Sequence, residues 1–199
     1  MQILHPCQGS PQQYLLWLSS SSPDSYRPGH CPQCHSKQPL IAHGFYTRTL
    51  TCTSFEGSLP IRRYLCHSCR RTVSLLPQFA LPYLRFSISV LGVFLAARLL
   101  RGTLHAAMQQ ALSTPGPYQR GQFWVRRFRA KADALCLSLV ALIPPTVTAP
   151  SFLHRALNML NSIGWIAAHR FLLATLREHL LGWPSSLVPA GLRVAFHPS

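Results

Sequence analysis

The chain is 199 residues long and 48% hydrophobic, enough for one ordinary domain or two small ones that bury a core. Against 19 Lys and Arg stand only 4 Asp and Glu, a formal charge of +15 that points to a polyanionic partner, nucleic acid first. The same scarcity excludes a two-metal phosphoryl-transfer site, which needs several clustered acids, because Asp24, Glu56, Asp133 and Glu178 are scattered.

Of the basic residues only Lys37 and Lys131 are lysines; the rest are arginines, whose planar fork suits phosphates and guanine edges. Met1 to Gln13 has no basic n-region, and Tyr14 to Leu18 is too short for a signal-peptide core. No stretch has the roughly 18 uninterrupted apolar residues of a membrane span. The expectation is a cytoplasmic protein, in a reducing compartment where paired Cys-x-x-Cys reads as metal.

Residues 1–28 carry four prolines and the serine run Ser19–Ser22, the composition of a weakly ordered segment. Tyr14–Leu18 is expected as one short strand within it. Cys7 lies outside any metal spacing.

Residues 29–77 are expected to form a β zinc ribbon. Cys31-Pro32-Gln33-Cys34 and Cys66-His67-Ser68-Cys69 are separated by 31 residues, and two such pairs fill the four positions of a tetrahedral zinc ion. His30, His35 and His67 sit beside a set that four cysteines already complete, and Cys52 reads as a small packed residue. Ala42–Leu50 has strand composition, Phe55–Ser58 reads as a turn, Leu59–Leu65 as a second strand and Thr72–Leu76 as a third that Pro77 stops. So small a unit has little core, and zinc would supply much of its folding free energy, on the order of 10 kcal/mol.

Residues 84–142 are expected to be helical. Ser87 caps a helix from Ile88 to about Leu100, apolar nearly all round, which Arg98, Arg101 and Gly102 end. Thr103 caps a short helix with Leu104, Ala107, Met108, Ala111 and Leu112 on one face. Ser113-Thr114-Pro115-Gly116-Pro117 breaks the chain, and a longer helix follows over 118–142. Its apolar stripe is Trp124, Phe128, Ala132, Leu135 and Leu139, with Cys136 as a packed thiol. Arg126 and Arg129 point away from the stripe; Arg120, Arg127 and Lys131 lie along its edge. This layout is that of a helix-turn-helix whose second helix enters the major groove, with Gln119 and Gln122 placed to address base edges. An ordinary bundle with a solvated basic face has the same pattern, so both readings stay open. After Pro144, Pro145 and Pro150, a second helical segment over 151–182 has Gly164 as a bend, and 183–199 reads as an irregular tail.

The pattern Cys31-Pro32-x-Cys34, His43-Gly44-x-Tyr46-x-Arg48, Ile61-Arg62-Arg63-Tyr64-x-Cys66-x-x-Cys69-x-Arg71-Thr72, then Leu75-Leu76-Pro77 and Leu81-Pro82-Tyr83, resembles a bacterial family of zinc-ribbon proteins. That family is similar to the N-terminal part of insertion-sequence transposases, a ribbon followed by a helix-turn-helix. Trp124-Val125-Arg126-Arg127-Phe128 matches the Trp-x-x-Arg-Phe pattern of their second helix, so the resemblance runs from residue 31 to about 130. It implies DNA binding linked to mobile elements. Full transposases continue into a domain with three acidic residues, which nothing after Lys131 offers.

The fold expected is therefore α+β: a small N-terminal β zinc ribbon, a helix-turn-helix region and C-terminal helices. The function expected is non-catalytic and zinc-dependent, binding duplex DNA as an accessory or truncated transposase-like protein. Cys31, Cys34, Cys66 and Cys69 hold Zn²⁺. Arg62, Arg63, Arg70 and Arg71 contact phosphates from the ribbon; Arg120, Gln122, Arg126, Arg127, Arg129 and Lys131 act from the helix. A separate transposase chain or a second copy through the C-terminal helices is the expected protein partner. The alternatives are a protein-interaction or assembly module, and an RNA-binding protein stacking bases on Phe45, Tyr46 and Tyr64. A closed Cys₄ site and the lack of a nucleophile–base pairing speak against an enzyme.

Overall fold

A computed structural model of the protein describes residues 1–7, 9–100, 102–113, 116–144 and 149–183. Arg101, Thr114, Pro115, Pro145 and the tail over 184–199, all of which entered the sequence reading, lie outside the described residues. The described residues form a mixed α/β fold with a four-stranded sheet and six α-helices.

The N-terminal segment differs from expectation. Gln2–Leu4 form a strand, β1, and Pro11–Ser20 form a helix, α1, where a strand was expected over Tyr14–Leu18. The cause is local and lies just upstream. Ser10 Oγ accepts from the Gln13 N–H at 3.2 Å, and Gln13 Oε1 accepts from the Ser10 N–H at 2.7 Å, a capping box with Pro11 at the first helical position. Tyr14 is thereby turned into the sheet, where its hydroxyl donates to the Pro60 carbonyl at 2.9 Å. A 3-10 turn over Pro23–Tyr26 follows.

The sheet continues with β2 (Ile41–Thr51), β3 (Glu56–Leu65) and β4 (Thr72–Leu76). Its order is β1-β4-β3-β2, antiparallel except for the β1–β4 pair. Alternation sends Leu59 and Ile61 to one face, with Leu50, Leu76, Phe79 and Tyr14. Tyr64, Val73 and Leu75 go to the other, with Tyr26, Leu40, Cys31 and Cys66. Each face thus has a small apolar cluster, and the second lies directly under the cysteines.

Helix α2 (Ile88–Leu99) starts where Ser87 Oγ accepts from the Val90 N–H, and α3 (Leu104–Ala111) where Thr103 Oγ1 accepts from the Ala106 N–H, both as the sequence predicts. Helix α4 (Tyr118–Leu139) buries Trp124, Phe128, Ala132, Leu135, Cys136 and Leu139. Trp124 is the centre of this group, edge-on to Phe86 at 5.0 Å and to Phe94 at 5.1 Å. A Cβ at Gly121 would lie 3.1 Å from Phe94 and 3.3 Å from Leu104, so glycine lets the start of α4 sit close to α2 and α3. The second helical segment divides at Gly164 into α5 (Phe152–Ile163) and α6 (Trp165–Ala174).

Sheet and helices are joined through the link over 77–87. The Thr51 N–H donates to the Arg85 carbonyl at 2.8 Å and the Ser87 N–H to the Thr51 carbonyl at 2.9 Å. The Ile88 N–H donates to the Phe79 carbonyl at 2.9 Å, and α6 packs against β1.

Candidate metal centre and basic helix face

The two cysteine pairs stand in matching turns. The Cys31 N–H donates to the Ser36 carbonyl and the Cys66 N–H to the Arg71 carbonyl, both at 3.0 Å. The residue after each second cysteine, His35 and Arg70, takes the left-handed conformation, with φ of 57° and 56°. The Ser68 hydroxyl ties the turns together, bonding Ser36 Oγ at 2.9 Å and Gln38 Oε1 at 3.0 Å.

These turns bring all four sulfurs within 4.8 Å of one another, with Cys31–Cys69 at 3.8 Å and Cys34–Cys66 at 3.7 Å. A tetrahedron with zinc–sulfur bonds of about 2.3 Å has edges of about 3.8 Å, so the set fits. A disulfide, at about 2.05 Å, does not fit. The four cysteines therefore can hold a metal ion such as zinc. Cys31 and Cys66 are buried, Cys69 is half-buried and Cys34 exposed. The thiols share one charge unevenly: Cys66 is lowered, first through the Cys69 backbone, while Cys34 and Cys69 are raised, so Cys66 is the first of the set to become a thiolate. His30, His35 and His67 are exposed and stand outside the cluster. Cys52 packs on the sheet's Tyr14 cluster, and the Cys136 thiol is buried beside the Phe152 carbonyl at 3.4 Å.

The motif residues around the cysteines act mostly within the fold. Gly44, at φ 71°, stands at the β-bulge between Ala42 and Phe45, where a left-handed residue shifts the register of β2 against β3. The Arg48 guanidinium is withdrawn from solvent and donates to the Leu81 and Leu84 carbonyls, pinning β2 to the link before α2. Arg62 is only 7% exposed, its guanidinium 4.8 Å from the Phe45 ring and 5.2 Å from Tyr64. Arg63 is half-buried over Tyr46 at 5.8 Å, whereas Arg70 and Arg71 are exposed beside the second cysteine pair. Tyr64 is fully buried, which removes its ring as a stacking platform.

On α4, Gln122, Arg126 and Arg129 are exposed, while Arg120 and Lys131 are half-buried. Arg127 turns inward. Its Nε donates to the Leu181 carbonyl at 2.7 Å, and its terminal nitrogen to the Gly182 carbonyl at 2.5 Å and the Trp183 carbonyl at 2.9 Å. It anchors the chain after α6 rather than facing solvent. Gln119, Gln122, Arg126 and Arg129 line a groove of about 670 Å³ together with Tyr118, Phe123 and Arg98. Arg98 enters the sequence reading only as a residue that ends a helix, and Tyr118 carries no role there. Arg98 carried a usable signal, as the one charge in an otherwise apolar helix; Tyr118 carried none, since a helix start fixes no exposure.

Among the described residues one ion pair forms, Arg27–Asp24. Glu178 accepts from the Ser138 hydroxyl at 3.2 Å, and Asp133 from its own helix. The cations of the α4 face thus have no carboxylate partner among the described residues. No helix among them is long and apolar enough to cross a membrane.

Residues 31–112 match the model of a family described as a domain of unknown function, DUF6431. The match is less than half of the chain; it takes in both cysteine pairs, β2 to β4, α2 and α3, and stops before α4. No curated protein and no solved structure matches the chain.

Proposed function

We propose that the protein is a non-catalytic, zinc-dependent protein that binds duplex DNA, of the kind linked to mobile elements. In this reading residues 29–77 are a zinc ribbon, and α3, the turn after it and α4 are a helix-turn-helix with α4 as the recognition helix. The observation that carries it is the α4 groove. Two glutamine amides, Arg126 and Arg129 share one exposed surface of α4, beside half-buried Arg98 of α2, and none of these arginines has a carboxylate partner among the described residues; Trp124 fixes the helix.

The work divides by residue type. Arg126 and Arg129 neutralise phosphates, joined by Arg70 and Arg71 from the second cysteine turn, while Arg98, bonded to the Gly102 carbonyl at 3.2 Å, backs the groove. Gln119 and Gln122 meet base edges, where a carboxamide pairs with adenine. Arg62 and Arg127 leave the contact set, because the first is buried between two rings and the second is bonded inside the fold. Cys31, Cys34, Cys66 and Cys69 would hold the zinc, which supplies folding free energy and no chemistry, since a Cys₄ set leaves no open position. DNA cleavage, if coupled, belongs to a separate transposase chain, and the protein acts at the bacterial nucleoid.

The test is duplex affinity by fluorescence anisotropy across a salt series. Each neutralised phosphate adds about 0.9 to the slope of log K against log salt, so a steep slope is expected. A flat response overturns the reading. A protein-assembly module is the second reading, favoured by exposed Leu137, Val140, Phe152 and Ile166 on α4 to α6. Pull-down after nuclease treatment separates the two, since only a protein-mediated contact survives.

A further inference from the structure

A second groove, of about 500 Å³, flanks the start of α4. One wall is the turn of the β2–β3 hairpin, and the other is the link into α2 with Leu112, Ser113, Gly116 and Pro117 from between α3 and α4. Two cations line it, Arg85 from the link and Arg120 from α4. The Arg120 guanidinium lies 4.8 Å from the centre of the Phe86 ring, which Trp124 in turn holds edge-on at 5.0 Å. The backbone of Arg85 is fixed by the 2.8 Å hydrogen bond from Thr51 to its carbonyl. Neither guanidinium has a carboxylate partner among the described residues. The hydroxyls of Thr53, Ser54 and Ser113 add donors, and Glu56 is the single acid in the lining.

We infer that this groove is an oxyanion site in which Arg85 and Arg120 grip one phosphodiester of the duplex that α4 enters. The inference rests on the DNA-binding reading and adds a site to it. A helix in a major groove about 12 Å wide has a sugar-phosphate backbone on either side. The amide-bearing groove takes one side of α4 and this groove the other. Both arginines stand at the junction of sheet and helices, so one phosphate bonded here fixes the two parts of the fold against the same strand. Paired forks on phosphate oxygens suit arginine, whose donors bond two oxygens at once.

The experiment uses the full chain with zinc and compares the parent with Arg85→Gln, Arg120→Lys and the double variant Arg85→Gln/Arg120→Gln. Duplex affinity is measured by anisotropy across a salt series, and melting temperature in inorganic phosphate against chloride at equal ionic strength. The double variant is expected to lose about 0.9 from the salt slope, by the same amount on unrelated sequences. Arg120→Lys keeps the charge and is expected to lose affinity with the slope unchanged. An unchanged slope in the double variant overturns the site while Arg126→Gln still weakens binding, so the α4 reading survives alone. If the double variant melts low, Arg85→Gln decides, because that side chain is exposed. If the parent binds no duplex, the DNA-binding reading fails and the phosphate arm decides. A rise in melting temperature lost in Arg85→Gln then supports a site for free phosphate, and no rise overturns it.

Discussion

His35 and Arg70 hold the same place in two separate turns, each just after the second cysteine of its pair, with φ of 57° and 56°. An L side chain in that conformation costs roughly 1–2 kcal/mol, which glycine avoids. The sequence has paid this cost twice in the same geometry, so the turn and not the side chain sets the position. Arg70→Gly is expected to melt at or above the parent and Arg70→Val below it, by circular dichroism with zinc present. Both remove the same charge, so equal losses of DNA affinity assign Arg70 to phosphate contact. A Gly variant that melts well below the parent would refute the strain argument.

Cys66 is 1% exposed and backed by Tyr64 and Val73. Cys66→Ser, or a strong chelator, is expected to remove the bound zinc and unfold the sheet, at a cost on the order of 10 kcal/mol. Metal content per chain and a melt with and without chelator check this. An unchanged melt after chelation sinks the metal site.

Trp124 is 1% exposed between Phe86 and Phe94. Trp124→Ala is expected to cost about 3–5 kcal/mol in urea unfolding, and Trp124→Phe clearly less. DNA affinity should fall with it, because α4 loses its fixed seat.

Adjacent arginines separate stability from binding. Arg127→Gln breaks bonds to three carbonyls and is expected to cost roughly 1.5–3 kcal/mol. Arg126→Gln, exposed, should stay within about 0.5 kcal/mol and weaken DNA binding. The reverse pattern would remove Arg126 from the proposed contact set.

His169 and His179 are buried where α6 and the chain after it meet the sheet and link. Burial lowers His169 to about 3, with His179 beside it, and lowers His179 to about 4, with Arg127, Arg48 and Lys131 adding to the effect. Their ordinary value is about 6.5, so the unfolded chain binds the extra protons. Their contribution is full well above pH 6.5 and is lost as pH falls from there, down to about 4 for His179 and about 3 for His169. His169→Leu should flatten that acid limb of the urea-unfolding curve without changing the metal content. An unaltered limb would clear His169 and leave the loss to His179 and to His5, which burial also lowers to about 4.

Much of this was legible in the chain. Ser87, Thr103 and the stripe from Trp124 to Leu139 gave helix starts and a buried face, because caps and 3.6-residue periodicity are local signals. The helix over Pro11–Ser20 was also written locally, in Ser10-Pro11-x-Gln13, but a serine- and proline-rich composition masked it. Spacing alone brought out the four cysteines, since paired thiols in two short turns are a local pattern that suits one metal.

Other decisions were tertiary. Arg62, Arg63, Arg126 and Arg127 look alike in sequence, yet Arg62 lies between two rings, Arg127 bonds the chain after α6, and Arg126 faces solvent. A guanidinium has no sequence mark for its partner, because that partner comes from residues tens of positions away. Arg85 and Arg98 became candidates only when packing set them in grooves beside α4. Composition and short-range spacing were enough for the four cysteines that can hold a metal, the helix caps and the excess positive charge. Which positive charges stayed exposed depended on the folded chain, because burial and long-range hydrogen bonds withdrew the others from solvent.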